Sequence, residues 1–127
     1  MDLTEYFEKT EGLGVLSTAD AEGKVNAAVY SRPHVSEGDT LAFIMPDRLT
    51  HHNLQSNPHA AFLFRENGPG YKGKRLYLTK VREDADPKLV ESIRRKVYPA
   101  EAEEKMGPKA VVFFRVDKEL PLIGSGD

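Results

Sequence analysis

Short β-rich runs alternate with tight-turn signals along this chain, and that punctuation restricts it to sheets whose neighbouring strands run antiparallel. Asp20-Ala21-Glu22-Gly23, Pro33 followed by Ser36-Glu37-Gly38-Asp39, and Asn67-Gly68-Pro69-Gly70 each interrupt the chain just after an apolar run. Strand-like runs cover residues 15–19, 24–30, 41–45, 60–65, 75–81 and 110–116. Connections this tight join antiparallel strands, because a parallel pair needs a long crossover.

The remaining periodic segments read as short helices. Residues 2–9 carry Asp2 and Glu5 as a capping box, with Leu3, Tyr6 and Phe7 on one face and Gly12 and Gly14 ending the segment. Residues 48–56 follow Pro46, with Asp47 or Thr50 as the N-cap, Leu49 and Leu54 as the buried side and Asn57-Pro58 as the stop. Asp86-Pro87 opens a helix that turns Leu89, Val90, Ile93 and Val97 inward and closes at Tyr98-Pro99. Residues 100–105 read as a solvated turn or short helix, and 120–124 form a tail apolar for a terminus. The order α-β-β-β-α-β-β-α-β describes a mainly β (α+β) domain in which short helices cover the ends and gaps of a small six-stranded barrel.

The chain has 127 residues, 39% hydrophobic and 30% charged, which suits one domain, 1–127, with one core. The net charge is -2 with both signs interspersed, so nucleic acid is not an expected partner. No apolar run approaches the roughly 18 residues that span a bilayer, so no membrane partner is expected either. The acidic opening Met1-Asp2-Leu3-Thr4-Glu5 is unlike a secretory leader, and a cytoplasmic location is expected. With no cysteine, disulfides, thiol nucleophiles and iron–sulfur clusters are excluded. Redox chemistry then needs an organic cofactor, a haem or a histidine/carboxylate metal site. His51 and His52 point about 100° apart on a helix and cannot easily share a metal, and His34 and His59 are isolated. No Walker loop or Ser/His/Asp arrangement is present.

Three stretches carry a family resemblance. The block Asp47-Arg48-Leu49-Thr50-His51-His52-Asn53-Leu54-Gln55-Ser56-Asn57-Pro58, the strand Asn26 to Ser31 and the loop Asn67-Gly68-Pro69-Gly70 occur in an order and spacing that resembles the pyridoxamine 5′-phosphate oxidase-like proteins, and within them the small bacterial FMN-binding proteins. The resemblance runs from about Glu11 to Val116 and implies a six-stranded antiparallel split β-barrel that binds FMN. It implies that the turn with Arg48, Thr50 and Asn53 holds the FMN phosphate, where a helix N-terminus would offer unpaired N–H donors. Asn26, Ala27, Ala28 and Val29 would run beside the isoalloxazine ring, with Ile44, Met45 and Pro46 ending the adjacent strand and Arg75 near the pyrimidine edge. Family members pair as homodimers with FMN in the groove between subunits, and a small-molecule or protein redox partner follows from that. The implied function is a flavin-dependent oxidoreductase or electron-transfer protein. A non-catalytic flavin-binding or sensor module, or a haem-handling relative using a histidine such as His34, are the alternatives. Pyridoxamine phosphate oxidation itself is not implied, since the chain is short and lacks a recognisable C-terminal basic substrate motif.

Overall fold

A computed structural model describes residues 2–36, 38, 40–97 and 109–124. Its elements in chain order are α1 (Leu3–Lys9), β1 (Gly12–Ala19), β2 (Val25–Tyr30), β3 (His34–Ser36), β4 (Thr40–Pro46), α2 (Leu49–Ser56), β5 (His59–Glu66), β6 (Gly73–Asp84), α3 (Pro87–Val97) and β7 (Lys109–Pro121). All paired strands run antiparallel in one sheet of order β2-β1-β5-β6-β7-β4-β3.

The sheet corrects the six-strand expectation. It has seven strands, and β2 and β3 are its edges, with no ladder among the described residues closing it into a barrel. The extra strand, β3, is three residues long and pairs with β4 across the turn that follows Ser36. Gly12 and Gly14 lie inside β1 instead of ending α1, which stops at Lys9. Arg32 caps the end of α1 by donating from Nη1 to the Phe7 and Thr10 carbonyls, both at 3.0 Å. The expected tail is strand at its start: β7 runs to Pro121, and Leu120 is buried opposite Arg75. The expectations for Tyr98-Pro99, residues 100–105, Glu37, Asp39 and the Val97 side chain lie outside the described residues.

Curvature follows from one ring contact. Strands β2 and β4 stand five places apart, which at ~4.8 Å per strand would put them ~24 Å apart in a flat sheet. Yet the rings of Tyr30 and Phe43 lie 6.0 Å apart, edge to face. The sheet therefore curls until its ends nearly meet. Alternation makes the inside: Leu16, Phe43, Met45, Phe62, Phe64, Leu76, Leu78, Val112 and Phe114 converge there, plugged by Leu3, Tyr6 and Phe7 of α1 and Leu54 of α2. Each such side chain contributes about 1.5–3 kcal/mol on leaving water. Strand β7 is apolar on both faces because Val111 and Phe113 turn outward, against Ile93, Leu89 and Val90 of α3.

Candidate functional site

The two ends of the curled sheet leave a cleft between them, and α2 begins at its rim. The cleft encloses about 300 Å³. Asn26, Ala28 and Val29 line it from β2, and Ile44 and Pro46 from the end of β4. Arg48, Leu49 and Thr50 complete it at the start of α2. Arg48 is a cation, and none of the described lining residues is acidic.

The chain enters α2 through Arg48, whose extended backbone makes it the N-cap residue. The Arg48 side chain makes no capping hydrogen bond, and the N-cap place expected of Asp47 or Thr50 falls to Arg48. The contrast with α1 is direct: there Asp2 accepts from the Glu5 N–H at 2.9 Å. The first turn of α2 thus keeps backbone donors beside the cleft, together with the positive end of the helix dipole. Asp47 is turned aside to His51, its Oδ1 lying 3.1 Å from Nδ1. Thr50 is buried, and its Oγ1 accepts from Asn26 Nδ2 at 3.4 Å, joining helix to strand at the cleft floor.

Four of the expected site residues fall elsewhere. Asn53 is buried behind the helix and donates from Nδ2 to Thr18 Oγ1 at 3.1 Å, so it braces α2 on β1. Met45 points into the main core. Ala27 stands on the exposed outer face of β2. Arg75 donates from Nε to the Pro121 carbonyl at 2.8 Å and from Nη2 to the Gly124 carbonyl at 3.4 Å. Sequence reasoning missed Leu49 as a lining residue: its expected burial is wrong, for it is 54% exposed while Leu54 fills the core. Val29 is exposed as well as lining the cleft, and Ile44 reaches both the cleft and the outer core.

Behind the cleft, α2 is tied to β6. His51 Nε2 lies 3.0 Å from Glu83 Oε2, and Gln55 donates from Nε2 to Glu83 Oε1 at 3.1 Å. Lys80 donates to the same carboxylate at 2.6 Å. Burial disfavours charge on both His51 and Glu83, but their hydrogen bonds prevail. The two flanking carboxylates raise His51 above the ordinary histidine range, and Lys80, Gln55 and His51 hold Glu83 down to about 2.

With that geometry in view, three comparisons are informative. A family model described as pyridoxamine 5′-phosphate oxidase matches residues 2–120. No curated protein matches the sequence. Among solved structures, an FMN-binding protein from Syntrophomonas wolfei subsp. wolfei is 21% identical, with a TM-score of 0.75 over 95% of this chain and 84% of that one. An F420 reductase is 14% identical, with a TM-score of 0.73 over 94% of this chain and 98% of that one. The styrene monooxygenase flavin reductase from Pseudomonas putida S12 is 9% identical, with a TM-score of 0.58 over 95% of this chain and 85% of that one. At these identities the structural likeness carries the fold alone.

Proposed function

The chain belongs to the pyridoxamine 5′-phosphate oxidase family, and from that premise we propose that it is an FMN-binding flavoprotein acting as an oxidoreductase or electron carrier. The observation that carries this reading is the N-terminus of α2 opening, beside Arg48, into a cleft floored by small β2 residues.

The donor set fits a phosphate monoester. Such a group carries close to two negative charges near neutral pH, and the first-turn amides of α2 point their partial positive charge at the cleft. Arg48 adds a charge-assisted fork. Thr50 has its oxygen occupied by Asn26, so its hydroxyl hydrogen is free to be donated. The small Ala28 leaves room for a flat ring to approach the β2 backbone, and Ile44 and Val29 give that ring apolar walls. FMN supplies hydride and electron transfer when bound. The chain's own work is to hold the phosphate, orient the ring and keep the Ile44 side dry.

We also place the cofactor at a groove between two copies of the chain. Val29 supports this, since it borders the cleft and also belongs to an exposed apolar sheet face. FMN titration, followed by quenching of flavin fluorescence, tests the reading, with coenzyme F420 as the comparison ligand. Arg48→Ala and Thr50→Ala should each leave the fold intact. Loss of a hydrogen bond to a charged group, about 1.5–3 kcal/mol, would weaken Arg48→Ala about tenfold to a hundredfold. Wild-type protein that shows no saturable quenching, or variants that bind FMN as the wild type does, would remove the assignment.

A further inference from the structure

We propose that His51 is a pH-dependent positioning residue, whose imidazolium form ties the cleft-lining helix α2 to strand β6 and whose neutral form releases it. This rests on the cofactor reading above only for its consequence in binding.

The argument begins with donors and acceptors. His51 presents Nδ1 to Asp47 Oδ1 at 3.1 Å and Nε2 to Glu83 Oε2 at 3.0 Å. Both partners are carboxylates, which accept only. An imidazolium donates from both ring nitrogens, whereas neutral imidazole keeps one lone pair and would aim it at a carboxylate oxygen about 3 Å away. Only the charged ring satisfies both contacts.

Gln55 makes the arrangement two-state. Its Nε2 lies 3.1 Å from the His51 carbonyl oxygen, 3.1 Å from Glu83 Oε1 and 3.2 Å from His51 Nε2. That is three acceptors for two hydrogens. With His51 charged, Gln55 serves the carbonyl and Glu83. With His51 neutral and protonated on Nδ1, Nε2 becomes an acceptor, and Gln55 must give up one of its other bonds to reach it. In this state the ring no longer donates to Glu83, so a bond that spans from α2 to β6 is lost.

The charges facing the ring from each element are accounted for. Asp47 comes from the turn before α2 and Glu83 from β6, both favouring the imidazolium. Lys80, also on β6, shares Glu83 through Oε1 and opposes it. The His51 and Glu83 side chains are largely covered, so that contact is only weakly screened, whereas Asp47 is 79% exposed and its contact is screened by solvent.

Displacement of α2 reaches the cleft because the same helix starts there. Leu49 and Thr50 lie within one turn of His51, and Thr50 anchors Asn26. On its other side α2 is braced by Asn53 on Thr18. Loss of the ring's bond to β6 leaves the helix held by Asn53 on Thr18, Thr50 on Asn26 and Leu54 in the core, and its first turn shifts against those anchors.

NMR of the cofactor-free protein tests the device directly. The His51 ring protons should titrate above pH 6.5, and the amide resonances of Leu49 and Thr50 should follow the same midpoint. Glu83→Gln, which keeps the ring and removes its charge partner, should lower that midpoint and carry the amides with it. A second measurement compares FMN affinity in wild type and His51→Gln at pH 6 and pH 9, so that the cofactor's own titration cancels in the ratio. The wild-type advantage should shrink about fivefold over that interval, the low end of couplings measured between sites. A His51 midpoint at or below the ordinary value, flat Leu49 and Thr50 amides, or a constant affinity ratio would each overturn the proposal. If neither protein takes up FMN, the cofactor reading fails and the amide titration alone decides the positioning role.

Discussion

At the scale of single residues, the cleft separates side chains that meet a ligand from side chains that hold the floor in place. Asn53 and Arg48 sit five positions apart around the same helix start and do opposite jobs. Asn53→Ala removes a buried bond to Thr18 and leaves that hydroxyl without its donor. It should cost about 1–3 kcal/mol in urea unfolding. Arg48 is exposed at the rim, so Arg48→Ala should leave the urea midpoint in place and lower FMN affinity. Equal effects of both changes on stability would contradict this division of labour. The sequence set Arg48 and Thr50 at the opening of a helix and Asn26 on a neighbouring strand, and the fold brings all three to one cleft. The bracing role of Asn53 was not legible in the sequence, since Thr18 lies 35 residues away and only the β1–α2 packing brings them together. The His51–Glu83 contact, 32 residues apart, was hidden for the same reason.

At the scale of elements, local pattern and tertiary packing divided the work. Alternation and turn chemistry located six strands and three helices, since both are written in neighbouring residues. The three-residue β3 was illegible, because so short a run has no period and forms only by pairing with β4. Gly12 and Gly14 were misread as stops, because a glycine signals a break unless something crosses over it. At Gly14 something does: an added Cβ would lie 2.5 Å from the Phe62 ring and 2.6 Å from the Tyr30 carbonyl oxygen. Gly14→Ala should therefore strain the β2-β1-β5 junction and cost about 1–3 kcal/mol, read as a lower urea midpoint. The tie between α2 and β6 makes stability depend on pH with a definite sign. His51 is raised by its carboxylate neighbours in the folded protein. The folded state then holds its proton more tightly than the unfolded chain does. The resulting stabilisation is complete below the unfolded value of about 6.5 and is lost as pH rises through the higher folded value. Glu83 works in the opposite sense: held down to about 2, it stabilises above its ordinary range and stops doing so only in strong acid. His34 is lowered by burial and works in the opposite sense to His51, in wild type and variant alike, so from pH 6 to pH 9 the urea midpoint of the wild type should fall relative to that of His51→Gln.

At the scale of the whole molecule, the sheet buries its concave side and leaves much of its convex side apolar. The register aligns Val29 of β2, Val15 of β1 and Leu63 of β5 in one row across three strands. Val25, Val29, Leu13, Leu63 and Tyr77 are all large and exposed, on strands β2, β1, β5 and β6. A contiguous apolar face of this kind is unusual on a monomer and normal at an interface. A two-fold pairing would bury it against its own copy, which is the commonest arrangement for a homo-oligomer. Edge strand β2 adds a second reason, since among the described residues it pairs with a strand on one side only, next to the same face. Leu63 is the residue to change, because it stands at the end of the row away from β2 and does not line the cleft. Leu63→Glu would bury a carboxylate in each half of the interface, at a cost on the order of several kcal/mol per ion. Sedimentation velocity should find the wild type as a dimer and the variant as a monomer, with its helical and sheet circular dichroism unchanged. If the groove between copies completes the site, the monomeric variant should also bind FMN more weakly, although every cleft residue of its own chain is intact. A monomeric wild type would end the pairing argument, whereas a monomeric variant with full FMN affinity would keep the dimer and confine the site to one chain.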